Sequence, residues 1–370
     1  MAILLVFIAH FRFLAPALPL DRVLANIELL GYIGVDLFFV LSGYLITGIL
    51  LDTRGAPHYF RNFYIRRALR ILPLYYGVVA ALVLVLPLVH RHTEALAALQ
   101  HNQWWYWFHA TNFVLGRPGA LVYNTGHFWS LAVEEQFYLV WPLIVWWSPP
   151  SRLTRVCVAC IIGALLLRVA SELTGHRWWA FALTPMRMDT LALGALLAVQ
   201  ARRSNGLRTA ARWAPIVGIS ALTVLLVTFF GSQRWPAIAP VHGTLGYSAS
   251  AILFACVVAA ASAGRGARLF TQPVLRFFGK YSYGLYVFHW PLLLFAAPLY
   301  AAAARMPLLG GSSILQQIVF FLEATGASVG IAWLSWHLYE QPFLSLKRYF
   351  PNERAEAQAS DAPRGPSPRR

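Results

Sequence analysis

Residues 33–51 and 63–76 read IGVDLFFVLSGYLITGILL and FYIRRALRILPLYY, and together they decide the fold class. The first stretch is nineteen residues long and contains one charged residue, Asp36. A helix of that length, rising 1.5 Å per residue, crosses a hydrocarbon core of about 30 Å. The arginine-rich connection between the two stretches is typical of a cytoplasmic loop under the positive-inside rule. The pair therefore predicts two consecutive transmembrane helices.

The composition extends this prediction to the whole chain. Of its 370 residues, 58% are hydrophobic and 12% are charged, whereas charged residues make up about 25% of a typical soluble domain. The net charge of +16 comes from arginines at helix ends and in the C-terminal tail, where they serve topology and contact anionic lipids. We predict an all-α, polytopic integral membrane bundle that contacts membrane lipids and no nucleic acid.

Ten apolar segments can be drawn as transmembrane helices. Their approximate limits are 2–19, 33–51, 71–89, 129–147, 153–171, 181–200, 212–230, 246–263, 281–304 and 314–339. The connections on one side hold 21 of the 30 Lys and Arg residues, and the alternate connections hold six. This asymmetry predicts cytoplasmic N and C termini. We assign residues 1–345 to a transmembrane domain and residues 346–370 to a disordered cytoplasmic tail, because the end of the chain is rich in Pro, Ala, Ser and Arg.

Ionisable residues inside a membrane are expensive to bury, so each is a candidate for function. His10 lies in the first span, Asp36 near the outer end of the second, and Glu134 and Glu135 in the fourth. All four fall in the predicted outer half of the bilayer, where a histidine oriented by a carboxylate would act as a general base. We therefore expect His10 to be the catalytic base and Asp36 or Glu134 to orient it. The alternative is a histidine bonded to a backbone carbonyl, with acids that only pack the bundle.

Three arginines at the start of the third span are candidate phosphate ligands. Arg66 and Arg70 are four residues apart and Arg67 and Arg70 are three apart, so all three share one side of a helix. Clustered guanidinium groups bind phosphate bidentately. We predict a site for a phosphate-bearing ligand at the cytoplasmic face, with simple anchoring to lipid phosphates as the alternative.

Four further ionisable residues are candidate supporting groups: Arg187, Asp189, His289 and Glu340. We expect Arg187 and Asp189 to neutralise each other across a helix interface of the sixth span. We expect Glu340 to pair with one of the three arginines at the cytoplasmic face. His289 lies near mid-membrane, where a hydrogen bond within the bundle is the alternative to a functional role. The sequence predicts no metal site.

Six segments of the chain, in their order, resemble those of the type 3 acyltransferase family. They are GVDLFFVLSGYLIT (34–47), FYIRRALRILPLYY (63–76), HFWSLAVEEQFYLVWPL (127–143), MRMDTLALGALLA (186–198), YSYGLYVFHWPLL (281–293) and YEQPF (339–343). The resemblance extends from His10 to about Pro342. It implies an integral membrane enzyme that O-acylates, usually O-acetylates, sugars and other hydroxyl acceptors.

The resemblance also implies a donor and its site. The donor would be acyl-CoA taken from the cytoplasm, with no bound cofactor. His10 matches the family's first-span histidine, Arg67 and Arg70 match its RxxR pair, and Asp36 and the two glutamates match its GVDxFF and EEQF segments. Family members carry an arginine and a polar stretch ahead of the histidine helix, so we expect the natural span to begin upstream of Met1. Some family members also carry a fused extracellular transferase domain. The sequence shows no such domain, so we expect an enzyme that acts on its acceptor directly.

These observations predict an O-acyltransferase of the bacterial inner (plasma) membrane. It would move an acyl group, expected to be acetyl, from acyl-CoA to a hydroxyl of a carbohydrate or another cell-envelope or secondary-metabolite acceptor. Two alternatives stay open: a transporter or flippase of a glycan-type substrate, since proton relays use the same residue types, and an inactive lipid-binding protein. The acceptor, the acyl group and the choice between direct transfer and an acyl-histidine intermediate also stay open.

Overall fold

The structure, a computed structural model, describes residues 1–13, 18–89, 94–115, 124–232 and 239–352, and its regular elements are helices. The α-helices are α1 (Ala2–His10), α2 (Pro19–Leu30), α3 (Gly34–Asp52), α4 (Tyr59–Ala80), α5 (Leu86–Val89), α6 (Glu94–His101), α7 (Gln103–Trp107), α8 (Thr111–Leu115), α9 (Phe128–Trp147), α10 (Pro150–Leu173), α11 (Arg177–Ala182), α12 (Thr184–Gln200), α13 (Gly206–Phe230), α14 (Tyr247–Ser262), α15 (Ala267–Phe270), α16 (Pro273–Lys280), α17 (Ser282–Phe288), α18 (Ala297–Ala304), α19 (Ile314–Ser335) and α20 (Gln341–Ser345). The predicted all-α class is confirmed. Most of the predicted tail, from residue 353 onward, lies outside the described residues.

Seven helical segments among the described residues are long and apolar enough to cross a membrane. They are Pro19–Asp52, Tyr59–Leu88, Pro150–Leu173, Arg177–Gln200, Gly206–Phe230, His242–Ser262 and Ile314–Tyr349. An eighth results if Ser282–Phe295 and Ala297–Ala304, which are bent by 73°, form one broken span. The chain is thus a multi-pass membrane protein. The count of ten stays a prediction, because neither α1 nor α9 belongs to this set.

Helix α3 lies at the centre of the bundle, in contact with α1, α9, α12 and α14. Its closest partner is α12, and two glycines permit that approach. A Cβ at Gly43 would collide with the carbonyl oxygen of Leu191, and a Cβ at Gly194 would collide with that of Val40. Small residues let membrane helices pack backbone against backbone. The two glycines therefore bring the backbones of α3 and α12, the helices that carry Asp36 and Arg187, close together.

The helix that carries His289 is interrupted next to that residue. Helix α17 ends at Phe288, and a 3₁₀ turn over Pro291–Phe295 follows. Proline has no backbone N–H, so Pro291 cannot continue the i to i−4 hydrogen-bond pattern of α17. The sequence HWP thus places a histidine at a helix break in the interior of the protein.

Candidate active site

A cavity of about 400 Å³ lies between α1, α3, α4, α9 and the segment from α16 to α17. Its polar lining includes Arg67 and Arg70 from α4 and Glu134 and Glu135 from α9. Its apolar walls include Phe38, Phe39, Leu41 and Leu45 from α3. We call this space the arginine–glutamate cavity.

Arg67 and Arg70 form no ion pair with any carboxylate among the described residues. Their guanidinium carbons lie beside aromatic rings, that of Arg67 at 5.8 Å from the centroid of Tyr138 and that of Arg70 at 5.9 Å from the centroid of Trp336. Stacking of this kind holds a guanidinium group in place while leaving its N–H donors available. The two arginines therefore present donors that suit an anionic group at the cavity.

Arg66 does not join them. Its Nη1 donates hydrogen bonds to the carbonyl oxygens of Lys347 (3.1 Å) and Phe350 (2.9 Å), and its side chain does not line the cavity. The structure thus does not bring Arg66 together with Arg67 and Arg70 at the cavity, and the expected help of Arg66 in binding phosphate stays a prediction. The spacing of the three arginines places them on one side of α4. Residues 347–350, which follow α20, nevertheless bind the Arg66 side chain away from the cavity.

Both glutamates belong to the arginine–glutamate cavity, in contrast to the expected grouping with His10. Glu134 accepts a hydrogen bond from Ser42 of α3, and the hydroxyl of Tyr138 lies 3.0 Å from the same Ser42 oxygen. Oε1 of Glu135 is buried and has no hydrogen-bond partner among the described residues. Successive residues of a helix point about 100° apart, yet both glutamates line the same cavity.

Three histidines form a second cluster. Nδ1 of His10 lies 2.8 Å from Nε2 of His289, and the ring of His127 packs against that of His289 with centroids 4.8 Å apart. The His10 ring also stacks on Trp290, with centroids 4.1 Å apart. His127 and His289 are buried, whereas His10 is partly exposed. We call these residues the histidine cluster.

The histidine cluster and the arginine–glutamate cavity are separated by one layer of side chains. Ser130 and Tyr286 line the cavity, their hydroxyl oxygens lie 2.5 Å apart, and each lies 3.1 Å from the carbonyl oxygen of His127. The ring of Tyr286 is 5.3 Å from that of His127 and 5.4 Å from that of His289. A group that passes between the two sites therefore meets the Ser130–Tyr286 pair.

Asp36 lies elsewhere, in a buried network of charges. It forms an ion pair with Arg187 and accepts a 2.5 Å hydrogen bond from Ser250 of α14. Asp189 pairs with Arg168 of α10 at 2.7 Å. The expectation that Asp36 orients His10 is therefore wrong, as is the expected pairing of Arg187 with Asp189. Because each acid has a buried arginine within reach on another helix, the network joins α3, α10, α12 and α14.

Glu340 is buried and accepts a 3.2 Å hydrogen bond from Ser335. Among the described residues it forms no ion pair with Arg66, Arg67 or Arg70, but it lies close enough to Arg70 to attract it electrostatically. His127, Ser130 and Tyr286 had no place in the sequence-based site. The signal for His127 was its position in HFWS, directly before the apolar run of the fourth predicted span.

Residues 1–337 match the family described as "Acyltransferase domain". The chain belongs to the type 3 acyltransferase family. Among similar proteins, a Bacillus subtilis protein provisionally named as the peptidoglycan O-acetyltransferase YrhL is 30% identical over 84% of this chain and 50% of its own length. The O-acetyltransferase OatA of Staphylococcus aureus is 29% identical over 73% of this chain and 47% of its own. The peptidoglycan O-acetyltransferase OatA of Listeria monocytogenes is 31% identical over 72% of this chain and 46% of its own length.

This type 3 acyltransferase chain thus spans about half the length of the curated relatives that it matches. No solved structure is significantly similar to it. The predicted family is confirmed over nearly the whole helical bundle, and the arginine–glutamate cavity and the histidine cluster both lie inside the matched region.

Proposed function

We propose that this chain is a membrane O-acetyltransferase with acetyl-CoA as donor and a carbohydrate hydroxyl as acceptor. The observation that carries the proposal is the juxtaposition of two sites: an arginine-lined cavity and a histidine cluster, one side-chain layer apart. The names of the relatives, which are O-acetyltransferases and in two cases refer to peptidoglycan, support the acetyl group and the carbohydrate acceptor.

The donor would enter the arginine–glutamate cavity from the cytoplasm. Arg67 and Arg70 would bind phosphate groups of CoA, because guanidinium donors without a carboxylate partner suit phosphate oxygens. The apolar walls, including Phe38 and Leu41, would contact the uncharged arm that carries the thioester. Glu134 and Glu135 would then lie beside this arm, between the arginines and the Ser130–Tyr286 pair.

The acetyl group would be transferred at His10. In direct transfer, Nε2 of His10 takes the proton of the acceptor hydroxyl, whose oxygen attacks the thioester carbonyl. The carbon–sulfur bond breaks, and the CoA thiolate leaves with the proton that the imidazolium returns. In the alternative route, Nε2 first takes the acetyl group itself and then passes it to the hydroxyl, with the same net balance. Both routes need a lone pair on the same nitrogen.

The topology belongs to the same proposal. With the arginine-rich connection after α3 in the cytoplasm, the cavity faces the donor and the N and C termini are cytoplasmic. The inner (plasma) membrane fits this arrangement, because acetyl-CoA is on one side and the cell envelope on the other. Ten spans would result if α1 and α9 also cross, within a transmembrane domain of residues 1–345 followed by the tail of residues 346–370.

The test uses the full chain reconstituted in liposomes, with peptidoglycan fragments and acetyl-CoA that is labelled in its acetyl group. We expect labelled acetyl esters on the glycan. Arg67→Ala and Arg70→Ala should each raise the KM for acetyl-CoA by about 10- to 100-fold, the worth of a charge-assisted hydrogen bond. Arg61→Ala is the matched control, since Arg61 is an exposed residue of the same helix outside the cavity, and its KM should not change.

His10→Ala provides the second arm. It should insert normally into the membrane and lose acetyl transfer while still binding acetyl-CoA. A His10→Ala protein that acetylates glycan at the wild-type rate would remove His10 from the reaction. Uptake of glycan fragments without any labelled ester would instead favour the transporter.

A further inference from the structure

Two backbone carbonyls near the end of α17, those of Tyr286 and Val287, contact histidine ring nitrogens. Pro291 has no N–H with which to bond the carbonyl of Val287, four residues earlier. That carbonyl instead lies 3.3 Å from Nε2 of His127. The carbonyl of Tyr286 lies 2.7 Å from Nδ1 of His289. A carbonyl oxygen only accepts hydrogen bonds, so each of these ring nitrogens carries a proton.

His289 is therefore protonated on Nδ1, and its other nitrogen follows from its surroundings. Its side chain is fully buried, against Phe7 and Phe11, and no ion pair among the described residues involves it. Burying an unpaired charge is far more costly than burying a neutral ring. His289 is thus neutral, and its Nε2 presents a lone pair.

That lone pair faces His10. Nδ1 of His10 lies 2.8 Å from Nε2 of His289, so the proton between them belongs to His10 Nδ1. When the His10 ring is neutral, its lone pair is therefore on Nε2, and this nitrogen makes no hydrogen bond with the described residues. Trp290, stacked on the ring, limits its rotation.

We propose that His289 is a positioning residue that holds His10 as the Nδ1–H tautomer and so leaves Nε2 free to react. The chain of contacts runs from the Tyr286 carbonyl through His289 to His10. The neutral Nε2 of His289 accepts the hydrogen bond from His10 that a carboxylate was expected to accept. The histidine cluster can therefore orient His10 without a buried charge. The tautomer follows from the contacts and the burial of His289, while its use in catalysis rests on the proposed O-acetyltransferase function.

The first test measures the tautomer directly. Full-length protein with ¹³C,¹⁵N-labelled histidine is reconstituted in liposomes and studied by solid-state NMR, with His10 assigned by the signal that His10→Ala removes. We expect the wild type to carry the His10 proton on Nδ1. His289→Met removes the acceptor and should produce a mixture of tautomers. His289→Gln should retain the Nδ1–H form, because its amide oxygen takes the place of Nε2 and accepts the same bond.

The second test measures turnover of the same variants. His289→Met should lower kcat by about 10²- to 10⁴-fold, the worth of a correctly protonated general base, with an unchanged KM for acetyl-CoA. His289→Gln should recover most of that loss. The matched control is His337→Met, because His337 makes the same type of contact, 2.8 Å from Nδ1 to the Trp333 carbonyl, at an exposed position.

Two results would overturn the inference. One is a wild-type His10 protonated on Nε2, and the other is an equal loss of turnover in the Gln and Met variants when both elute as folded protein. Failure of the proposed function is distinguishable, since a chain without acetyl transfer would still report the tautomer of His10 by NMR.

Discussion

The ion pair between Asp36 and Arg187 leads to a prediction that separates stability from catalysis. The side chains are 1% and 2% exposed. Asp36→Asn removes one charge and leaves the Arg187 guanidinium buried without its ion-pair partner, and loss of one partner of a buried pair costs about 3–5 kcal/mol in a protein interior. At about 1.4 kcal/mol per factor of ten, the folding equilibrium shifts by roughly 10²- to 10⁴-fold. We expect a marked loss of thermal stability with nearly normal turnover per folded molecule.

The measurement is thermal denaturation in detergent together with acetyl transfer normalised to folded protein. The matched control is Glu172→Gln, which breaks the Arg177–Glu172 pair at 2.8 Å, where the side chains are 34% and 23% exposed. An exposed pair contributes about 0.2–1 kcal/mol, so this variant should melt close to the wild type. Replacing both partners, as Asp36→Leu with Arg187→Met, should recover much of the lost stability, because an apolar pair leaves no uncompensated charge.

The refuting result is specific. If Asp36→Asn melts like the wild type and its kcat falls 100-fold or more, Asp36 acts in the chemistry and the sequence-based role for it is right. A loss of stability that the double variant does not recover would instead show that shape, and not charge, holds α3 against α12.

Two further predictions concern packing and pH. Gly43→Leu should destabilise the protein by about 1–3 kcal/mol or more, because the new side chain meets the α12 backbone. The control Gly163→Leu has open space around its Cβ position and should melt at the wild-type temperature. Equal melting temperatures for the two variants would contradict the close contact between α3 and α12. Burial lowers the pKa of His109, in the connection between α7 and α8, to about 4, against about 6.5 in an unfolded chain. The unfolded state therefore binds more protons between these values, and stability falls as the pH drops from about 6.5 to 4. His109→Asn, which tolerates the φ of 50° at this position, should flatten that loss in melting curves recorded across the window, and an unchanged slope would argue against it.

Much of the site could be read from local spacing. Arg67 and Arg70 were predicted to act together because residues three apart share a side of a helix. His10 was singled out because an ionisable residue in an apolar run is rare without a function. The glutamates were placed in the wrong group, since depth in the membrane was estimated from the chain while the direction in which α9 faces was not known.

The partners of the buried charges could not be read in this way. Asp36 and Arg187 are 151 residues apart, and His10 and His289 are 279 apart. Each acid had several candidate cations at a similar depth, and only the rotation of the helices about their axes decides between them. The close approach of Gly43 to the Leu191 carbonyl and of Gly194 to the Val40 carbonyl sets that rotation for α3 and α12, the two helices that carry Asp36 and Arg187.

The helical membrane architecture, the family and the residue types available for chemistry could be read from the amino-acid sequence, because hydrophobic length and charge placement act locally along the chain. Which of these residues meet depends on how the helices pack in the folded protein. It placed Arg67, Arg70 and both glutamates in one cavity, and it set His10 against a second histidine in place of a carboxylate. The physical reason is that hydrogen bonds and ion pairs act over about 3 Å, a distance fixed by packing between helices that are remote in sequence.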